Sequence, residues 1–383
     1  MTEEPTTAAA ADTPLLLLLP SGWKRGVSST LNRPYYYHPE SKHTQWHYPT
    51  PAEAADPIAT KAKMMMEERQ RQQQQQQQTK RGASTTLPLP SVAIIVPYRD
   101  LHASQNRAKH LSKFIPYMKQ YLGKLVTTNK IQDYHIYIIE QSNDGRKFNR
   151  GKLLNIGFDY ALLKQKQRSI INNKNPSSSS SSSSTSPLPT HTTIFIFHDV
   201  DLLPKSNVSE WYATIPTQPI HIARVWDRYS SNNTKYFGGI VSFSERDMKR
   251  INGYPNTFWG WGGEDDEMQQ RLETCGIQWI GPRSGTIQDL EEMDLHTKLG
   301  FLKQNAEWKC MVKWEALEEH EKTWKVNGLA DLNYDILKIE RMDKDDDDAN
   351  DDGSSKVTKL TTDVKLNGTH WANDKCGTEY LPP

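Results

Sequence analysis

The sequence predicts an α/β fold, a mostly parallel sheet with helices on both faces, preceded by a small three-stranded all-β module. Three observations carry this. Short apolar runs at 92–96, 134–139 and 194–197 have the length and the β-branched or aromatic content of buried strands. Helix-length segments follow the first two runs, with Leu111, Phe114, Ile115 and Met118 repeating at helical spacing in 104–122, and Leu154, Phe158, Ala161 and Leu162 doing so in 151–163. Ahead of all these, aromatic runs split by turn residues fill the stretch from Leu19 to Pro49.

Each strand of the larger part ends in residues that matter for binding. An alternation of strand and helix needs right-handed crossovers and therefore parallel neighbours. Ligands of such sheets sit beyond the carboxyl ends of the strands. That rule selects Pro97-Tyr98-Arg99-Asp100, the segment around Phe148-Asn149-Arg150, and His198-Asp199-Val200-Asp201.

Composition excludes several function classes. The 383 residues carry 47 basic and 46 acidic side chains, a net charge of +1, so no bulk electrostatic pull toward nucleic acid is expected. Cys275, Cys310 and Cys376 have neither disulfide-framework density nor C-x-x-C spacing, which fits a reducing compartment. The continuous apolar run Leu15–Leu19 is too short for a membrane span, which needs about 20 residues, or for a signal peptide. A cytoplasmic location without a membrane span is the expectation. A mean hydropathy of −0.76 requires segments that cannot fold alone. These are a Gln-rich linker over 52–90, a Ser-rich insertion over 172–190, and an acidic, largely disordered tail over 342–383. The folded parts are then 17–51 and 91–341.

In the amino-terminal module, Trp23, the run Tyr35-Tyr36-Tyr37, Trp46 and Pro49 suit three short strands closed by an aromatic clasp. The arrangement resembles a WW domain from Leu19 to Pro49. The resemblance implies that Trp23, Tyr36 and Pro49 form the clasp, while Tyr35 and Trp46 form a groove for a proline-rich peptide in the polyproline II conformation.

The larger part concentrates chemistry at two places. Asp199 and Asp201 stand on alternate positions after a strand, where two carboxylates can reach a hard divalent cation and a diphosphate. Arg99 and Arg150 would supply planar donors to nucleotide phosphates and base. Further on, Gly253-Tyr-Pro-Asn-Thr-Phe-Trp-Gly-Trp-Gly-Gly-Glu-Asp-Asp266 leads glycines and tryptophans into three carboxylates. Indole faces stack on sugars, glycines let the backbone approach, and carboxylates bind hydroxyls or take a proton.

The segments VAIIVPYRD, FNRGKLLNIGF, FHDVDLLP, KYFGGIVSFS and NGYPNTFWGWGGEDDE, in this order, resemble the inverting β-1,4-galactosyltransferase family, whose fold is of the GT-A type. The resemblance runs from about Val92 to Ile339. It implies a donor and nucleotide site from Pro97, Tyr98, Arg99, Phe148, Arg150, Asp199, Val200, Tyr236, Gly239 and Trp261. It implies a manganese ion held by Asp201, Met293 and His296, and Asp265 as general base assisted by Glu264. Trp261, Gly262, Gly263, Glu264, Asp265 and Asp266 would meet a glycan acceptor. A tyrosine at 236 implies UDP-galactose as donor. Two other readings stay open: a UDP-N-acetylgalactosamine-using transferase, and a weak or inactive transferase fold serving as a proline-motif adaptor.

Overall fold

The computed structural model of the chain describes residues 19–28, 34–40, 43–45, 49, 88–174, 192–230, 236–343, 355–366 and 370–372. The chain forms two compact units, Met1–Leu87 and Pro88–Pro383.

In the first unit, β1 (Lys24–Val27), β2 (Pro34–His38) and β3 (His43–Gln45) make an antiparallel meander. Side chains alternate across a strand, so Tyr35 and Tyr37 share one face of β2 and Tyr36 and His38 the other. Trp23 is buried and meets the His38 ring edge-on at 5.8 Å; Pro49 is buried too. Tyr35 stands 5.8 Å from Tyr37 on the opposite face. Trp46, the other half of the expected peptide groove, lies outside the described residues.

The second unit is built on a seven-stranded sheet. In chain order its elements are β4 (Ser91–Tyr98), α1 (Arg107–Thr127), β5 (Asp133–Gln141), α2 (Arg150–Lys174) and β6 (Thr193–His198), then β7 (Leu202–Pro204), β8 (Ile220–His221) and β9 (Ile240–Phe243). They continue with α3 (Glu264–Thr274), β10 (Ile287–Asp289), α4 (Leu295–Gln304), β11 (Asp335–Arg341) and β12 (Val357–Asp363), with shorter helical turns between. The sheet order is β11-β12-β5-β4-β6-β9-β8. Its centre, β12-β5-β4-β6, is parallel, and antiparallel strands finish both edges. Each face is covered by its own core. Ile95, Ile139, Phe158 and Phe197 pack on the α2 side, and Ile94, Ile138, Phe114 and Met118 on the α1 side. The three expected strands and two expected helices are all present, which gives the expected mixed α/β architecture.

Three boundaries differ from expectation. The first helix begins at Arg107, because Ala103–Gln105 form a 3₁₀ turn that closes on Asn106 in the left-handed region. The second helix continues to Lys174, so residues 172–174 belong to it and not to the Ser-rich insertion. The largest correction concerns the carboxyl end. Residues 355–366 are not a disordered tail: β12 lies inside the sheet, parallel to β5 and antiparallel to β11, with Val357, Leu360 and Thr362 buried. Its threonines, Lys359 and Asp363 hide a strand behind a polar composition, while β-branched Thr packs well on a pleated surface.

Candidate active site

The carboxyl ends of β4 and β6 open into a cleft of about 310 Å³. Pro97, Tyr98 and Arg99 enter from the end of β4, and Asp199, Val200 and Asp201 from the end of β6. Phe148 and Arg150 enter from the start of α2. Asn149, fully buried, caps that helix by accepting from the Lys152 N–H at 3.0 Å, which fixes Arg150 in the first turn with its guanidinium toward the cleft.

The opposite wall is the glycine-tryptophan loop. Gly260, Gly262 and Gly263 have φ of 92°, 98° and 106°, a backbone that a side chain would strain. The loop delivers Trp261, 39% exposed, to the rim and begins α3 at Glu264, so Glu264, Asp265 and Asp266 fall in the first turn, where the helix dipole favours anions. Trp261 is fixed by its N–H bond to the Trp308 carbonyl (2.7 Å) and by the Cys310 N–H to its own carbonyl (3.0 Å). A Cβ on Gly238 would collide with the Asp265 carboxylate, so only glycine fits behind that group.

Arg150 ties the two walls together. Its guanidinium contacts Asp199 at 2.8 Å, Asp265 at 2.9 Å and Glu264 at 3.4 Å, almost out of solvent. Burial pushes the Asp265 carboxyl up; Arg150 offsets part of the rise, Glu264 and Asp199 add to it, and the balance lies at about 8. Glu264 is raised by burial against the pull of Arg150, and its Oε2 is buried without a hydrogen bond. A carboxylate near 8 can accept a proton at working pH.

Asp201 behaves in the opposite way. Burial alone would raise its carboxyl, but the charge and hydrogen bond of Arg107 at 2.7 Å, with Lys298 and Arg228 behind, hold it well below the usual carboxylate range. Ligand oxygens of Asp201, Asp289 and Glu291 all lie within 4.8 Å of one another, a hard-oxygen set that fits a divalent cation such as manganese. Three cations surround the same carboxylates. Arg107 reaches Glu291 at 2.7 Å, Arg228 reaches it at 2.8 Å and also pairs with Asp289, and Lys298 from α4 holds both Glu291 oxygens at 2.8 Å.

Of the residues that the resemblance assigns to the donor, metal and acceptor sites, three do not line the cleft. Gly239 stands behind it, its carbonyl accepting from the Asp199 N–H at 2.9 Å. Met293 contributes its carbonyl to Arg228 Nε at 2.9 Å, and His296, exposed on α4, is apart from the lining. The side chains nearest Asp201 that could hold a cation are the carboxylates of Asp289 and Glu291, while Met293 and His296 stand outside the cleft lining. Reading the sequence also passed over Arg107, Arg228, Tyr229, Lys298, Trp308 and Lys313, all in the lining. None belongs to a spaced motif. Arg107 is separated from Tyr98 by a turn, and Trp308 and Lys313 come from a segment whose only sequence signal is its tryptophans.

Two family models match the chain, mostly within the larger unit. Residues 49–173 match the N-terminal region of glycosyl transferase group 7, and residues 218–297 match the N-terminal domain of galactosyltransferase. The chain belongs to the β-1,4-galactosyltransferase family. Residues 19–49 match the WW domain, so a WW domain precedes the galactosyltransferase part. The chain is 29% identical over 254 residues to mouse beta-1,4-galactosyltransferase 4, covering 66% of this chain and 60% of that protein. It is 31% identical over 252 residues to mouse beta-1,4-galactosyltransferase 1, covering 65% and 52%. The chain therefore matches about three fifths or less of the length of these relatives. Among solved structures, the catalytic domain of Drosophila beta-1,4-galactosyltransferase 7 in complex with xylobiose superposes with a TM-score of 0.51 at 23% identity, covering 75% of this chain and 98% of that one. A point mutant of the same enzyme, similar at TM-score 0.51 and 22% identity and covering the same shares, was solved with manganese, UDP-Gal and xylobiose. Within the described residues, no helix of this galactosyltransferase-family chain is long and apolar enough to cross a membrane.

Proposed function

We propose that the larger unit transfers galactose from UDP-galactose to a sugar hydroxyl with inversion, forming a β-1,4 linkage in a manganese-dependent reaction. The observation that carries this reading is the Asp265 carboxylate, raised to about 8 and held by Arg150 beside Trp261. Trp261 offers its indole face to the acceptor ring, and Glu264 accepts from a sugar hydroxyl. Asp265 takes the proton of the attacking hydroxyl, whose oxygen displaces UDP from the anomeric carbon on the opposite face. Arg99, Tyr98, Phe148 and Arg150 receive the nucleotide. Asp201, with Asp289 and Glu291 beside it, would hold manganese, which when bound neutralises charge on the departing diphosphate. The testing measurement is manganese-dependent UDP release from UDP-galactose with a sugar acceptor, followed by the anomeric configuration of the product. An α-linked product would overturn the inverting reading.

Donor choice is assigned to Tyr236. Its ring stacks on Tyr229 at 4.3 Å and 26°, with Trp226 behind, so it cannot swing away from the sugar. Tyr236→Leu is expected to admit UDP-N-acetylgalactosamine and to shift the difference between the two donors by roughly 1–3 kcal/mol, the worth of one pocket contact. Competition between the two UDP-sugars measures this; an unchanged preference would place selection elsewhere.

The WW domain is proposed to bring a proline-rich partner to the enzyme. Trp46→Ala should abolish binding of a proline-rich peptide, read by fluorescence anisotropy, and leave transfer to a small free-sugar acceptor unchanged. Slowed transfer would show that the module contributes to the catalytic structure. We propose a cytoplasmic site of action, supported by the small number and wide spacing of the cysteines, Cys275, Cys310 and Cys376.

A further inference from the structure

Two short 3₁₀ turns at the cleft each carry an aromatic ring, and the two rings meet. His102 stands just beyond Arg99 at the mouth of the first turn, Ala103–Gln105, where its carbonyl accepts from the Gln105 N–H at 2.9 Å. Trp308 closes the second turn, Ala306–Trp308, and its N–H donates to the Asn305 carbonyl at 3.1 Å. The imidazole lies on the indole at 4.4 Å and 25°, a stacked pair, and both residues line the cleft. Phe301 of α4 approaches the same indole at 5.3 Å and 59°. Burial and the charge of Arg99 push the His102 pKa down against a smaller upward pull from Glu307, so at neutral pH the ring packs as an uncharged aromatic face.

The main chain of Trp308 in turn holds Trp261. Its carbonyl accepts the Trp261 N–H at 2.7 Å, and the Trp261 carbonyl accepts the Cys310 N–H at 3.0 Å, so the two segments pair as a single parallel bridge. Any residue at 308 could supply that carbonyl. What fixes its place is the indole, seated by His102 and Phe301. Resting on the acceptor role given to Trp261 above, we propose that His102 is a positioning residue for the sugar acceptor: its ring seats Trp308, whose carbonyl sets the angle of the Trp261 indole. Binding a sugar on an indole requires the two faces to lie parallel and in contact, so a platform free to tilt holds the acceptor less tightly. The proton-accepting step is spared, because Asp265 belongs to α3 and is held by Arg150.

Two measurements on the full chain test this, and one of them needs no substrate. Amide hydrogen exchange, read by mass spectrometry on a peptide covering Trp261, reports the bond to the Trp308 carbonyl directly. His102→Ala should speed exchange there by about three- to tenfold, the opening that loss of one aromatic pair allows, and His102→Phe, which keeps a stacking ring, should exchange as wild type does. The second measurement is steady-state transfer from UDP-galactose to a panel of free mono- and disaccharides that includes xylobiose. For the best acceptor of the panel, His102→Ala should raise KM by a similar factor while kcat and manganese-dependent UDP affinity hold, and His102→Phe should restore KM. Unchanged exchange in His102→Ala, or faster exchange with an unchanged acceptor KM, would overturn the proposal. A His102→Phe variant as impaired as His102→Ala would overturn it too, by assigning the effect to hydrogen bonds of the imidazole nitrogens. If wild type transfers to no sugar of the panel, the transferase reading is what fails, and the exchange at Trp261 still decides whether His102 seats the indole.

Discussion

Asp265→Asn should lower transfer to a sugar acceptor by roughly 10²- to 10⁴-fold, the contribution typical of one positioned general base, while UDP still binds in the presence of manganese. The amide keeps the shape of the side chain and its contact with Arg150 at 2.9 Å, so the cleft has no reason to rearrange. What disappears is the lone pair that takes the hydroxyl proton. A second readout follows from the carboxyl lying at about 8. The base form is the ionised one, so its population grows as pH rises, and kcat/KM of the wild type should climb through about pH 8 and level off above it. In Asp265→Asn that limb should be gone and the residual rate flat. Both effects come from one proton-accepting group, so a variant with a preserved pH limb would assign the base to Glu264 or to another carboxylate.

The difference between what the sequence disclosed and what it hid has a physical basis at particular residues. Strands β4, β5 and β6 announce themselves because they are buried on both faces and read as apolar runs. The glycine-tryptophan loop is equally visible, since close backbone approach and positive φ demand glycine at fixed places. Strand β12 was hidden by Lys359 and its threonines and by the acidic block before it, although it lies between β11 and β5. The cation set had no signal of its own. Arg107, Arg228 and Lys298 come from three separate helices and converge only once the sheet has gathered them around Glu291. The Met-x-x-His spacing points to Met293 and His296, whereas the acids grouped with Asp201, Asp289 and Glu291, stand seven and five positions before His296 and belong to no spaced motif.

Arg150→Met should be the most damaging single change to stability in the cleft. The guanidinium side chain is 12% exposed and serves Asp199, Glu264 and Asp265 at once, so a neutral replacement leaves three crowded carboxylates with their counter-charge gone. Removing one partner of a buried ion pair costs roughly 3–5 kcal/mol. The sign of the pH dependence is fixed by the same geometry. Burial already raises Asp265 to about 8, and Arg150 is the largest influence pulling it down, so the variant moves that carboxyl higher still. A carboxyl raised in the folded state withdraws stability as pH climbs from its unfolded value toward its folded one, because the unfolded chain ionises more readily. The penalty of Arg150→Met should therefore be small at about pH 2, below the ordinary carboxylate range, where the carboxyls are protonated in both states, and should grow up to and beyond about pH 8. Urea unfolding at the two ends of that range measures it. The double variant Arg150→Met, Asp265→Asn should lose less than the sum of the single changes, since one of the stranded charges is gone. A penalty that is equal at both pH values and additive in the double variant would mean that Arg150 contributes by packing and not by holding the three carboxylates together.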